Sequence, residues 1–201
     1  MSAFDDDEYV SFDLNDDKTA DEGFDDAEDE DLDDDLDDDD LDDAEDEDID
    51  FVLASYLEEG QRTVTALSKD LANDLEELIR QLRRLPADTG AVGFVSLDTD
   101  MFVIARIRGE HVQVLLSDGS MAGEWPIARD VADLLGLDGI PDEDDIDPIG
   151  DLNIFDDLGL SEIDMAQYCD DDADTDQIVI DIAERLNLTG FRRVAEAELG
   201  D

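Results

Sequence analysis

The sequence predicts an α+β domain in which helices pack on a five-stranded antiparallel sheet, in the order strand, strand, helix, strand, strand, strand, helix. Three observations support this prediction. Several short segments have the period of a β-strand, with one or both faces apolar. The turns between neighbouring segments are short enough for hairpins and too short for parallel crossovers. Two other segments carry apolar residues at helical spacing, and helices on a sheet bury both apolar surfaces.

The first hairpin and the first helix follow directly after a long acidic segment. Residues 51–57 have apolar side chains on both faces, and residues 62–67 resume with β-branched residues after the turn "EEGQ". Leucine and isoleucine at helical spacing then predict a helix over about 69–85, with Ser68 as its N-cap. Pro86 ends this helix.

Three further strands form a predicted meander over residues 91–98, 101–109 and 111–118. The middle strand is apolar on one face, while its other face ends in Arg106 and Arg108. Two arginines on one face indicate that this end is in water or paired with acids from neighbouring elements.

The second helix of the domain starts at Pro126 and ends at Gly136. Trp125, the only tryptophan, precedes it and has two interpretations. It is either a hydrophobic staple that packs the helix on the sheet, or an exposed anchor for a partner, with Arg129 one turn further along. The candidate partner interface predicted from the sequence consists of Trp125, Arg129, Arg106 and Arg108.

Composition divides the chain into five parts. We expect a disordered acidic tail over 1–50, the sheet domain over 51–137, an acidic linker over 138–150, a helical segment over 151–190 and a tail over 191–201. The helical segment contains three predicted short helices, one of which begins with a capping-box pattern at "SEID". It is too small to hold a core alone, so it should dock on the sheet domain or on a partner.

The acidic tail carries more than half of the net charge. Residues 1–50 contain 29 Asp or Glu and one Lys, a formal charge of −28, and the other residues contribute −24. Segments with so much like charge and so few apolar residues do not offset the entropy of ordering, which predicts disorder. The alternative is a short docking motif that folds on a partner, formed by Leu32, Leu36, Leu41 and Ile49.

The total charge of −52 limits the partners of this chain. Binding to nucleic acid phosphates or to an anionic membrane needs clustered Lys and Arg, so neither is expected. We expect no secretory signal, because the N-terminus lacks a basic region and a hydrophobic stretch, and no apolar run is long enough to span a membrane. A single cysteine fits the reducing cytoplasm, where we expect the protein to meet basic or apolar partner surfaces.

Residues that carry chemistry are sparse, and we predict no catalytic, cofactor-binding or metal-binding residues. His111, the only histidine, begins a strand without a visible nucleophile. Cys169 precedes Asp170 and Asp171, whose negative charges disfavour a reactive thiolate. A calcium-loop pattern over 145–156 is interrupted by proline and isoleucine and lacks its final glutamate. No glycine-rich phosphate loop follows any predicted strand.

Several blocks of the sequence resemble one protein family. They are "DLANDLEELIRQLRRLP", "GAVGFVSLDTDMFVIARIRG", "VQVLLSDGSMAGEWPIARDVADLLG" and "GDLNIFDDLGL" followed by "YCDD". In these blocks and their order the chain resembles the actinobacterial tRNA adenosine deaminase-associated proteins, from 51 to about 190. The resemblance implies association with the enzyme that converts adenosine to inosine in tRNA. It supplies no site residues.

The chain does not carry the residues of such a deaminase itself. That chemistry uses a zinc ion held by His and Cys in H-x-E and C-x-x-C elements. His111 is followed here by Val112 and Gln113, and Cys169 stands alone. Our first hypothesis is therefore a non-catalytic accessory protein whose folded part binds a protein partner, with the deaminase as the candidate. The alternatives are an acidic nucleic-acid mimic or chaperone that acts through the tail, and an unrecognised enzyme.

Overall fold

Six antiparallel strands form one sheet in the part of the chain that the structure describes. The computed structural model describes residues 41–137, 139, 141 and 146–200, so the predicted tail lies outside the described residues up to position 40. The order across the sheet is β2-β1-β3-β4-β5-β6. The strands are β1 (Ile49–Glu58), β2 (Gln61–Ala66), β3 (Ala91–Leu97), β4 (Met101–Arg108), β5 (His111–Leu116) and β6 (Ile149–Gly150).

Helices cover both faces of this sheet and give it three layers. The first face packs against α1 (Leu75–Arg84) and α2 (Pro126–Leu135). The second face packs against α3 (Glu162–Cys169), α4 (Thr175–Arg185) and α5 (Phe191–Leu199). The predicted α+β class with an antiparallel sheet is confirmed, and so is the predicted ββαβββα order of its first seven elements.

The first core lies between the sheet and the helices α1 and α2. Alternate residues of each strand enter it, as the period of two predicts, so that Val103 and Ala105 of β4 point to this side. Gly93 in β3 lets α1 approach closely, because a Cβ at this position would lie 2.9 Å from Leu82 Cδ1. A larger residue at this position would require the Leu82 side chain to move.

The second core is aromatic and joins the C-terminal helices to the sheet. The ring of Phe191 in α5 packs edge-on against Phe51 and Phe94, with centroids 6.1 and 5.0 Å away. Phe155 stacks on Phe94 at 6.2 Å. Residues 151–190 therefore dock on the sheet, one of the two alternatives that the sequence left open, and the predicted tail over 191–201 is wrong because α5 completes this core.

The predicted linker over 138–150 ends in a sixth strand that the sequence analysis missed. In β6, Gly150 pairs with Leu115, and the backbone N–H of Asp151 donates to the Val114 carbonyl at 2.7 Å. The Asp151 carboxylate accepts a hydrogen bond from the Val114 N–H at 3.1 Å, so it holds the chain on β5. Gly150 has a φ of 108°, and a Cβ there would collide with the Val114 carbonyl.

The first helix is shorter than its apolar spacing predicts. Residues Lys69–Asn73 form a 3-10 turn, and α1 begins only at Leu75. Asp74 is the N-cap, because its carboxylate accepts a hydrogen bond from the Glu77 N–H at 2.7 Å. The predicted cap Ser68 precedes the 3-10 turn and makes no capping hydrogen bond to the backbone.

The folded part also begins before the predicted boundary at position 51. Strand β1 starts at Ile49, which is buried, and Ala44 is buried ahead of it. The Asn73 side chain fixes this segment, since it accepts from the Ala44 N–H at 2.8 Å and donates to the Ala44 carbonyl at 3.1 Å. Among the described residues, no helix is long and apolar enough to cross a membrane.

Candidate functional site

The four predicted interface residues do not form one surface. Trp125 and Arg129 belong to the start of α2, on the first face of the sheet. Arg106 and Arg108 alternate with the first-core residues of β4, so they lie on the second face. A single partner surface would have to reach around the sheet to contact all four.

Arg106 is buried and paired inside the protein. Its side chain is only 8% exposed, and its two Nη atoms donate to both carboxylate oxygens of Asp157 at 2.5 and 2.8 Å. Nη1 also donates to the Ile154 carbonyl at 2.5 Å, and the guanidinium lies 5.7 Å from the Phe155 ring centroid. The sequence leaves two environments for these arginines, water or a neighbouring acid, and Arg106 is paired with an acid. This ion pair joins the C-terminal segment to the sheet.

Arg108 lies closer to the surface and shares the same acid. Its Nη1 donates to Asp157 at 3.4 Å, and its Nη2 donates to the Gln113 side chain at 2.8 Å. The hydrogen bonds from Arg106 and the positive charges of both arginines hold the pKa of the Asp157 carboxyl below its usual value. Asp157 is therefore ionised at neutral pH and forms ion pairs with both Arg106 and Arg108.

Trp125 is half-buried and packs against the first core at the start of α2. Its backbone N–H donates to the Met121 carbonyl at 3.0 Å, which closes the turn before the helix. Arg129 donates through Nε to the Ala122 carbonyl at 2.9 Å and braces the same turn. These contacts match the hydrophobic staple more closely than a fully exposed anchor.

Replacing Trp125 by Ala should therefore lower the free energy of unfolding by about 1 to 2 kcal/mol, less than for a fully buried tryptophan. Urea denaturation followed by circular dichroism measures this loss. Glu124→Ala, at the exposed neighbouring position, serves as the control and should change stability by less than about 0.5 kcal/mol. A Trp125→Ala variant as stable as the control would mean that the indole does not pack the helix.

An acidic cleft of about 350 Å³ lies at the end of the sheet where β3 turns into β4. Its wall includes the β3–β4 turn, the segment after β5 and the connection from α3 to α4. No Lys, Arg or His occurs among the described residues that line it. We use the name acidic cleft for this site, whose carboxylates are Asp100, Asp118, Asp170, Asp171, Asp172 and Asp174.

A hydrogen-bond network around the buried Ser96 positions one wall of the acidic cleft. The hydroxyl of Ser96 in β3 lies 2.8 Å from the Asp50 carboxylate and 3.1 Å from the Thr175 hydroxyl at the start of α4. The Thr175 N–H donates to the Thr99 carbonyl at 3.1 Å, and the Thr99 N–H donates to Asp50 at 3.2 Å. These hydrogen bonds join the β3–β4 turn to the start of α4. They therefore fix the position at which the acidic α3–α4 connection ends.

Negative charge accumulates around this network. Burial raises the pKa of Asp50, while the hydrogen bonds from Ser96 and Thr99 oppose the rise. The charges of Asp176 and Asp98 raise it further. A cation placed in this region would therefore relieve repulsion between carboxylates.

The cysteine that lines the cleft is a poor nucleophile. Burial, and then the charge of Asp170, raise the pKa of the Cys169 thiol to about 12, so its thiolate is scarce at neutral pH. His111 is exposed at the start of β5, at the opposite end of the sheet. Within the described parts of the chain, no cluster of three or more His, Cys, Asp or Glu side chains has the arrangement of a metal site. The cleft can attract cationic side chains.

The sequence indicates the charge of the chain but does not reveal this site. Asp170, Asp171 and Asp172 are adjacent in the printed sequence, and that run was the available signal. Asp100 and Asp118 join them only because the ends of β3 and β5 lie at the same edge of the sheet. The conclusion that the cleft is one site requires the fold.

The fold and the site together define an acidic, three-layer α+β protein. The model of one family, the Rv3753c-like tRNA adenosine deaminase-associated proteins, matches residues 50–189. The chain belongs to this family, and the resemblance found in the sequence blocks is confirmed. The chain is 31% identical over 115 residues to Protein Rv3753c of Mycobacterium tuberculosis (strain ATCC 25618 / H37Rv). These residues cover 56% of this chain and 66% of the relative. No solved structure matches the chain significantly.

Proposed function

We propose that the chain is a non-catalytic accessory protein that binds a tRNA adenosine deaminase through the acidic cleft. The observation that carries the proposal is the cleft itself, whose described residues present six carboxylates and no positive charge to a partner. An enzyme that acts on tRNA needs a basic surface for the phosphates of its substrate. An acidic cleft complements such a surface, and complementary charge raises the rate and the specificity of association.

The family description supports the choice of partner, since it names association with a tRNA adenosine deaminase. The deaminase would meet this chain in the cytoplasm, where the reduced state of a single cysteine is maintained. Direct binding of this chain to tRNA is not part of the proposal, because a net charge of −52 repels phosphates.

The alternative proposal assigns the function to the acidic residues ahead of the sheet. Residues 1–50 carry 29 acidic side chains, and such a polyanion can compete with RNA for a basic surface as a nucleic-acid mimic or chaperone. The two proposals differ in which part of the chain makes the specific contacts.

A set of charge-neutralising variants tests the role of the cleft. The cleft variant combines Asp170→Asn, Asp171→Asn and Asp172→Asn, all at exposed positions. The control variant removes three exposed charges elsewhere, through Glu59→Gln, Glu110→Gln and Asp133→Asn. Both lose the same charge, so a difference between them reports the location of the contact.

Calorimetric titration of these full-length variants into purified deaminase at about 150 mM NaCl gives the dissociation constants. We expect the cleft variant to bind at least about tenfold more weakly than the unmodified chain, equivalent to 1.4 kcal/mol. The control variant should stay within about twofold. Equal weakening by both variants would reject the cleft as the contact, and absence of binding by the unmodified chain would reject the deaminase as the partner.

A further inference from the structure

A small cavity of about 110 Å³ lies at the opposite end of the sheet from the acidic cleft, where β1 turns into β2. Three of the 12 basic residues of the chain line it, namely Arg62, Arg106 and Arg108. No Asp or Glu occurs among the described residues that form its wall. In a chain with 64 acidic residues, this wall is a local concentration of positive charge.

Ser55 of β1 lines the same cavity and has an unsatisfied hydroxyl. The residue is only 3% exposed, and its Oγ is the one buried side-chain N or O atom in the described parts of the chain that lacks a hydrogen-bond partner. A buried hydroxyl without a partner destabilises a protein, so native structures pair nearly all of them. A polar occupant of the cavity would supply the missing partner.

The arginines that line the cavity have N–H donors without a partner among the described residues. A guanidinium has five N–H donors. The contacts of Arg106 with Asp157 and Ile154 use three of them. Arg62 of β2 is exposed and forms no ion pair with any residue of the described ranges. Among the described residues, Asp157 pairs with Arg106 and Arg108, and no carboxylate pairs with Arg62, so an anion could take up the remaining donors.

We propose that this cavity binds the phosphate group of a small molecule, or inorganic phosphate itself. Donors reach the cavity from β1, β2 and β4, and a tetrahedral oxyanion has acceptors in all of these directions, whereas a carboxylate is planar. Since one water occupies about 30 Å³ of liquid, the volume corresponds to about four waters or one phosphate group. A nucleic acid backbone is a poor fit, because the surrounding chain has a charge of −52.

Inorganic phosphate is the probe for this site, and it is titrated into the full chain. Thermal unfolding is followed at rising phosphate concentration and, in parallel, at rising NaCl of matched ionic strength. A ligand that binds only the folded state raises the melting temperature with its concentration. We expect a saturable rise with phosphate that exceeds the rise with chloride. Phenyl phosphate in a third series distinguishes the sources, since it binds only if the cavity accepts the terminal group of a larger molecule.

Two variants connect the effect to the cavity, and a third serves as the control. Ser55→Ala removes the unpartnered hydroxyl without breaking any protein hydrogen bond, and Arg62→Gln removes an exposed, unpaired charge. We expect the phosphate dissociation constant to rise about fivefold in the first and about tenfold in the second. Arg83→Gln changes an exposed arginine of α1. It should leave the phosphate dissociation constant within about twofold of the value for the unmodified chain.

The proposal is independent of the deaminase, since it needs no protein partner. A phosphate series that coincides with the chloride series would overturn it. It would equally be overturned by a phosphate effect that persists unchanged in both Ser55→Ala and Arg62→Gln, because the ion would then bind elsewhere.

Discussion

Replacing Phe191 by Ala should lower the free energy of unfolding by about 3 to 5 kcal/mol, the largest effect that we expect from a single substitution in this chain. The ring is 1% exposed and contacts Phe51 and Phe94 edge-on, a geometry that adds to the energy of burial. The substitution leaves a cavity at the junction of α5 with β1 and β3. Guanidinium denaturation monitored by circular dichroism measures the loss.

Arg193→Ala is the matched control for Phe191→Ala, because it lies on the exposed side of the same helix. We expect it to change stability by less than about 0.5 kcal/mol. A loss below about 1 kcal/mol for Phe191→Ala would mean that residues 191–199 behave as the tail that the sequence analysis predicted.

Replacing Asp157 by Asn should cost about 2 to 3 kcal/mol, because Arg106 would stay buried without its counter-charge. Loss of one partner from a fully buried pair costs more, but the side chain of Asp157 is 48% exposed and water partly screens it. Asp156→Asn, in the same 3-10 turn and without an ion pair to the described residues, is the control. Chemical denaturation at pH 7 compares the two.

The difference in stability between the unmodified chain and Asp157→Asn should depend on pH in a defined direction. The folded-state pKa of Asp157 lies below the ordinary value of 3.8, so the pair stabilises the protein fully above that value. The stabilisation is lost as the pH falls through the folded-state pKa, where the carboxylate is protonated. We therefore expect the difference between the unmodified chain and Asp157→Asn to stay constant from neutral pH down to about pH 5 and to shrink only in stronger acid. A difference that shrinks between pH 7 and 5 would contradict this assignment.

The sequence predicts most of the sheet, because each of the five long strands is a run of six or more residues, mostly apolar or β-branched, that is bounded by turn or helix signals. It does not predict β6, which has two residues and forms through the contacts of Asp151 with Val114. It misses α5 because the burial of Phe191 depends on Phe51 and Phe94, which are distant in sequence. Local patterns carry no information about such pairings.

The sites follow the same rule. Arg106 and Arg108 were recognised as a pair of charges on one face, but the acid that neutralises them comes from Asp157, beyond the linker. The choice between an exposed and a paired arginine therefore needed the tertiary structure. The sequence does not indicate a role for Ser55, because a serine in an apolar strand is common. Its hydroxyl is notable only because the structure shows that it lacks a hydrogen-bond partner.

The central claim is that the folded part of the chain, rather than the acidic residues ahead of it, recognises the partner. The most direct measurement compares the dissociation constants of the full chain and of residues 41–201 for the purified deaminase at about 150 mM NaCl. Residues 41–201 include both cores, so the shortened chain keeps the acidic cleft. We predict that the two constants agree within about threefold. A loss of more than about tenfold on removal of residues 1–40 would contradict the claim and assign recognition to the acidic segment.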